Sequence, residues 1–215
     1  MKHWSIFYKH PISLFLFFMT FQFSCKEKSN WVDYYQIDIV RTSRDSSFYF
    51  NGKLFDGNIK KMDQNGGEIV VFEVKNGTLN GDYLEFYTNG NRKIESNYLH
   101  GKLNGEFISY FDNKKIKERT KYSTGLIDGF RKLYWRNGSI KESSLLKSGV
   151  LTGECLFFYS NSNLRKKISF DNFGNRDGVW SDYYQNGNVK SEIKYESGVV
   201  INSLKRFDIK GNLLK

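Results

Sequence analysis

Apolar and polar positions alternate along most of this chain, and the alternation repeats on a fixed period. Met62, Phe86, Tyr110, Tyr134, Phe158, Tyr183 and Phe207 form one column of large side chains, each five residues after Gly57, Gly81, Gly105, Gly129, Gly153, Gly178 or Asn202. Tyr87, Phe111, Trp135, Tyr159 and Tyr184 follow immediately, with Asp63 and Asp208 in the terminal units. Further on come Ile116, Ile140, Leu164, Val189 and Leu213, then Tyr98, Tyr122, Leu146, Phe170 and Tyr195. Spacing by two within short runs is the signature of strands. Polar breaks separate the runs. Asn-Gly or an equivalent pair stands at 65–66, 89–90, 113–114, 137–138, 161–162, 186–187 and 210–211, at intervals of 24, 24, 24, 24, 25 and 24 residues. A second marker, Gly-x-x-x-Gly, opens at Gly77, Gly101, Gly125, Gly149 and Gly174 and closes at Gly81, Gly105, Gly129, Gly153 and Gly178.

Two markers on one period define a repeat, and each is read as a reversal. Asn-Gly favours a type I′ hairpin, and the Asp56, Asn80, Asn104, Asp128 and Asp177 that precede closing glycines carry the same signal. Each unit then holds a strand of about seven and a strand of about eight residues. The fold expected is all-β, an up-and-down antiparallel meander of roughly 12 to 14 strands, ~60 Å long at ~4.8 Å per strand and curled by twist. The single proline, Pro11, lies ahead of all of this, as ladder hydrogen bonding requires. The second aromatic column disappears at both ends, as in capping units. Residues 31–50 are expected to add one or two strands over the N-terminal edge, with Asp45-Ser-Ser as a loop.

Units such as Gly101-Lys-Leu-Asn-Gly105-Glu-Phe-Ile-Ser-Tyr-Phe and Gly178-Val-Trp-Ser-Asp-Tyr-Tyr-Gln-Asn-Gly187 resemble the MORN-repeat variant of bacterial proteins, over about residues 50–215. That family includes proteins labelled as YwqK-type antitoxins, so the resemblance implies an antitoxin or immunity-type role in sequestering a toxin. It also implies protein contacts and phospholipid surfaces, the associations of such repeats elsewhere.

The N-terminus changes the picture. Lys2 and Lys9 precede an apolar run, Ile12–Phe23, too short to span a ~30 Å hydrocarbon core. A basic start, a short apolar stretch and small Ser24 describe an export signal. Cys25 at the boundary makes it similar to a bacterial lipoprotein signal, in which that thiol is lipidated. The organisation expected is a signal peptide at 1–24, a tether at 25–30, N-terminal capping strands at 31–50 and the repeat domain at 51–215. The charge of +10 becomes +8 once residues 1–24 are removed. Cys155 is then the one free thiol and His100 the one histidine.

Two candidate surfaces emerge. A basic ladder, Lys93, Lys117, Lys141, Arg165 and Lys190, recurs three positions after each central turn. Its partners by charge would be an acidic protein or an anionic membrane surface. The plain alternative is a solvated face that blunts the sheet. The column Tyr87, Phe111, Trp135, Tyr159 and Tyr184, with Trp180, offers amphipathic rings for a protein or glycan, or else only stabilises cross-strand pairs. Export argues against nucleic acid for the Lys114–Lys121 run. Chemistry finds little material: His100 reads as a turn residue and Cys155 as packing, and no nucleotide loop, nucleophile elbow or metal-binding histidine pair is present. The expectation is a non-enzymatic, lipid-anchored envelope protein, without metal or cofactor, that binds a protein partner or membrane surface through its sheet. A cytoplasmic antitoxin is the alternative.

Overall fold

The computed structural model describes residues 31–41 and 46–214. The expected signal peptide, the tether and Cys25 lie outside them. The strands are β1 (Trp31–Asp33), β2 (Asp38–Arg41), β3 (Ser46–Phe50), β4 (Lys53–Leu54), β5 (Gly57–Met62), β6 (Glu68–Lys75), β7 (Thr78–Phe86), β8 (Arg92–Leu99), β9 (Lys102–Leu103) and β10 (Gly105–Tyr110). They continue with β11 (Ile116–Ser123), β12 (Leu126–Tyr134), β13 (Ile140–Lys147), β14 (Val150–Phe158), β15 (Leu164–Phe170), β16 (Gly178–Tyr183), β17 (Val189–Glu196), β18 (Val199–Val200), β19 (Lys205–Phe207) and β20 (Leu213–Leu214). From β5 onward the strands pair antiparallel in a single long sheet, with β8 bonding to both short β9 and β10 and β17 to both short β18 and β19. Short β1 runs parallel beside β5 and closes the N-terminal edge. Strands β2, β3 and β4 form a separate three-stranded sheet. The cap therefore extends to Leu54, and Ser46-Ser47, expected in a loop, begin β3.

The reversals differ from the sequence expectation in a way that backbone chemistry explains. At Asn89-Gly90 the Tyr87 N–H donates to Asn91 O (2.8 Å) and the Gly90 N–H to Tyr87 O (2.9 Å). Within that loop only Gly90 has positive φ. This is a type I turn followed by one left-handed residue, not type I′. One left-handed position is easier to supply than two, so Lys114 (φ 67°) and Ser162 (φ 71°) can hold it in other units. The type I′ turn sits at the second marker's opening glycine, in pairs such as Asn76-Gly77 (φ 48° and 68°) and His100-Gly101 (φ 50° and 77°). The closing glycine is not a turn. Gly81 (φ 114°) lies within β7, where the β6–β7 register slips, as a bulge. Where the residue before a closing glycine is Asp or Asn, at 56, 80, 104, 128 and 177, its side chain braces the turn of the following unit. Asn80 accepts from the His100 N–H (3.2 Å), Asp177 from Ser197 (3.3 Å), and Asp56 from Asn76. The single 25-residue interval is absorbed at 171–175, where a second four-residue loop replaces the type I′ turn and leaves Phe173 exposed.

Among the described residues, an apolar core forms only at the N-terminal end. The small sheet lays Phe48 against Phe72, and Val32, Ile37, Phe55, Ile59, Val70 and Val74 close around them. Cross-strand partners share a face, so that same face continues through Tyr83, Ser96, Phe107, Thr120, Arg131 and Ser144, then Cys155, Ile168, Trp180 and Ile193. No second layer of described residues covers this stretch. Its small members are nonetheless buried, Thr120 completely, because taller neighbours stand around them.

Candidate binding surface

The loop edge of the sheet brings the two predicted columns together. The first aromatic column pairs across the hairpin: Tyr110 opposes Ile116, Tyr134 opposes Ile140 and Tyr183 opposes Val189. The second column opens each loop and reaches forward one unit. The Tyr87 hydroxyl donates to Tyr110 O (2.7 Å), the Trp135 indole to Phe158 O (3.2 Å), the Tyr159 hydroxyl to Tyr183 O (2.9 Å) and the Tyr184 hydroxyl to Phe207 O (2.9 Å). Phe111 has no polar atom and makes no such bond. The loop asparagines reinforce the stitching, as when the Asn91, Asn137 and Asn163 amides donate to Asp112 O, Ser160 O and Gln185 O. The rings are half-buried. Their polar ends serve the fold, and what they leave open is ring face.

The cations occupy that ring face. Lys93 lies 6.0 Å from the Tyr87 ring centre, Lys141 4.8 Å from Trp135 and Lys190 5.7 Å from Tyr184, within cation–π range. Arg165 sits over Phe157 instead, and Phe111 receives Arg136 of the next loop rather than Lys117. Lys93 is also bound by Glu85 at 2.7 Å, and that hydrogen bond, ahead of the Glu85 charge itself, holds its pKa above the ordinary lysine value. Lys117, Lys141, Arg165 and Lys190 are exposed and make no ion pair with any described residue. Successive members lie two strands apart, ~9–10 Å.

Trp180 departs from the predicted surface. It stands on the core face between Phe170 (5.5 Å) and Tyr195 (4.9 Å), with Arg176 over its ring. On the same face, Arg131 bridges Glu142 (2.6 Å) and Glu118 (3.7 Å), whose carboxylate also takes the Thr120 hydroxyl. Arg131 takes the column position held elsewhere by Tyr83, Phe107 and Trp180, and that departure from the repeat was its only trace in the sequence. Cys155 is buried beside this group, and burial, with Glu142 adding to it, pushes the thiol up to about 11. That is the setting of an inert thiol. His100 is the first of the two left-handed residues of its turn, equivalent to Asn76, Thr124, Ser148 and Ser197.

No curated protein matches the chain closely enough to serve as a relative. The family model of the MORN repeat variant matches residues 79–100, 103–123, 151–172 and 176–197. Its four matches fall on the hairpin units built by β7 to β11 and β14 to β17, and the unit between them keeps the same strands and loops. The chain therefore carries repeats of the MORN repeat variant.

Proposed function

We propose that this protein acts by non-covalent binding rather than catalysis, anchored at the cell envelope through lipid on Cys25. Its loop edge meets an acidic protein partner or an anionic membrane surface. The observation that carries the reading is the row Lys117, Lys141, Arg165 and Lys190, four exposed cations without a carboxylate partner among the described residues. Cations whose only work was to blunt the sheet would gain by pairing with nearby acids, as Lys93 does. Rings beneath Lys141 and Lys190 hold those ammonium groups in place and lower the side-chain entropy lost on binding.

The test has two arms. Labelled palmitate and cell fractionation compare the wild type with Cys25→Ala. Label in the wild type and none in the variant supports the anchor; a cytosolic, unlabelled full-length chain removes it and returns the antitoxin reading. The second arm neutralises Lys117, Lys141, Arg165 and Lys190 to Gln and measures binding to anionic vesicles and to cross-linked envelope proteins. At about 1 kcal/mol per cation near an anionic surface, affinity should fall ~1000-fold and lose its salt dependence. Unchanged binding would remove the ladder from the reading.

A further inference from the structure

Between the small sheet and the main sheet lies a cleft of 280 Å³ that the loop edge does not include. Its floor is apolar, formed by Phe48, Val70, Phe72 and Leu79. Its polar lining is dominated by donors. Arg41 and Lys61 both line it, and neither has an ion pair with a described residue. The Lys61 ammonium is held 5.0 Å from the Tyr34 ring and 5.3 Å from Tyr35. The one carboxylate present, Glu85, is already committed to Lys93 at 2.7 Å. The Tyr83 ring is fixed by stacking on Phe72 (5.9 Å) and by its contact with Tyr98 (5.8 Å). No described residue hydrogen-bonds the Tyr83 or Tyr34 hydroxyl. Two cations and the Tyr34, Tyr83 and Ser46 hydroxyls thus line a cleft with an apolar floor and no free anion to answer them.

We propose that this cleft is a binding site for a small amphipathic carboxylate, a medium-chain monocarboxylic acid. The tail lies on Val70, Phe72 and Leu79. The carboxylate accepts from Lys61 and Arg41, with a tyrosine hydroxyl as a further donor. The volume sets the size: at the ~30 Å³ per molecule of liquid water, the cleft holds on the order of ten heavy atoms. A saturated eight-carbon acid is of that size. Arg41 and Lys61 donate only and carry charge, so a neutral alcohol of equal length would leave that charge unanswered, and a cationic amphiphile would be repelled.

The test is calorimetric titration of the full chain with octanoate and, separately, with 1-octanol. Octanoate should bind one-to-one and saturate at ~1 mM or tighter, the range expected for about ten heavy atoms. Octanol should bind at least ~10-fold more weakly, the value of one charge-assisted contact. Arg41→Gln with Lys61→Gln should bring octanoate down to the octanol affinity while the melting temperature stays unchanged. Lys141→Gln, on the loop edge, should leave octanoate binding intact. No saturable octanoate binding by the folded protein overturns the proposal. So does equal affinity for octanol, or an equal loss of octanoate affinity from Lys141→Gln.

Discussion

Phe111 is the one member of its column that cannot bond the next unit, and its replacement offers a direct measure of what the stitching is worth. In Tyr87, Tyr159 and Tyr184 the hydroxyl reaches the carbonyl of Tyr110, Tyr183 and Phe207 at 2.7, 2.9 and 2.9 Å. The equivalent acceptor for residue 111 is Tyr134 O. Phe111→Tyr adds one hydroxyl to a ring already held beneath Arg136, so the bond costs little new side-chain entropy. A net hydrogen bond contributes about 1 kcal/mol, so Phe111→Tyr should stabilise by about 0.5–1 kcal/mol. Each of Tyr87→Phe, Tyr159→Phe and Tyr184→Phe should cost about 1 kcal/mol, toward the low end where water can reach the freed carbonyl. Tyr87 lies three units from Tyr159, and neighbouring members are separated by ~9–10 Å, far enough for their effects to add. The triple variant should therefore lose about 3 kcal/mol. With a urea m-value of about 2 kcal/mol/M, Phe111→Tyr moves the midpoint up by ~0.3–0.5 M and the triple variant moves it down by ~1.5 M. Tyr134→Phe is the control, because the Tyr134 hydroxyl has no partner among the described residues; its midpoint should hold. A lower midpoint for Phe111→Tyr, or a triple variant indistinguishable from Tyr134→Phe, would show that these hydroxyls are equally well served by water and that the stitching stabilises nothing.

Gly81→Ala should be costlier than Gly90→Ala, by about 1–2 kcal/mol in urea unfolding, because Gly81 combines φ 114° with the Glu73 side chain where a Cβ would stand, whereas Gly90 (φ 78°) faces open space; equal costs would remove the bulge as the reason for the closing glycine. In a Cys25→Ala background, Cys155 should react with a thiol reagent at pH 8 at least ~100-fold more slowly than in urea, since burial holds it up at about 11 and shields the sulfur; comparable rates would contradict its burial. Burial, ahead of the Glu85 charge, raises Tyr83 to about 12 from an ordinary value near 10. The folded state therefore keeps a proton that the unfolded chain has lost. That contribution to stability is complete below pH ~10 and fades as pH rises toward about 12. The urea midpoint should fall across this window and fall less in Tyr83→Phe; identical profiles would refute the assignment.

The repeat was legible because its markers are backbone necessities. A left-handed loop position and a two-residue alternation leave traces that survive exchange of side chains, which is why Lys114 and Ser162 could replace glycine without hiding the period. The type of turn was not legible from the dipeptide alone. Asn-Gly suits both a two-residue type I′ turn and the end of a type I turn, and only the hydrogen bond from the Tyr87 N–H to Asn91 O decides between them. Asn80 and Asp177 looked like turn residues because their partners are a strand pair away, at His100 and Ser197. Contacts from one unit to the next do not show in the local sequence. The cleft at the cap was likewise hidden, since it needs β2 and β3 folded over β6 and β7.

The aromatic column can serve as a binding surface and as a structural ladder, and its geometry makes the two interdependent. Beyond the N-terminal cap no second layer of described residues supplies a core, so one unit is held to the next by the strand ladder, loop asparagines and ring hydroxyls. The same rings carry Lys93, Lys141 and Lys190 on their faces. A partner that engages these cations presses on the residues that stitch the units. Binding should therefore stiffen the sheet along its length, and loss of a stitch should weaken binding as well as folding. Charge removal at Lys141 and hydroxyl removal at Tyr159 separate the two effects. The first lowers affinity with little change in stability, and the second lowers stability, with affinity following only as far as the units loosen.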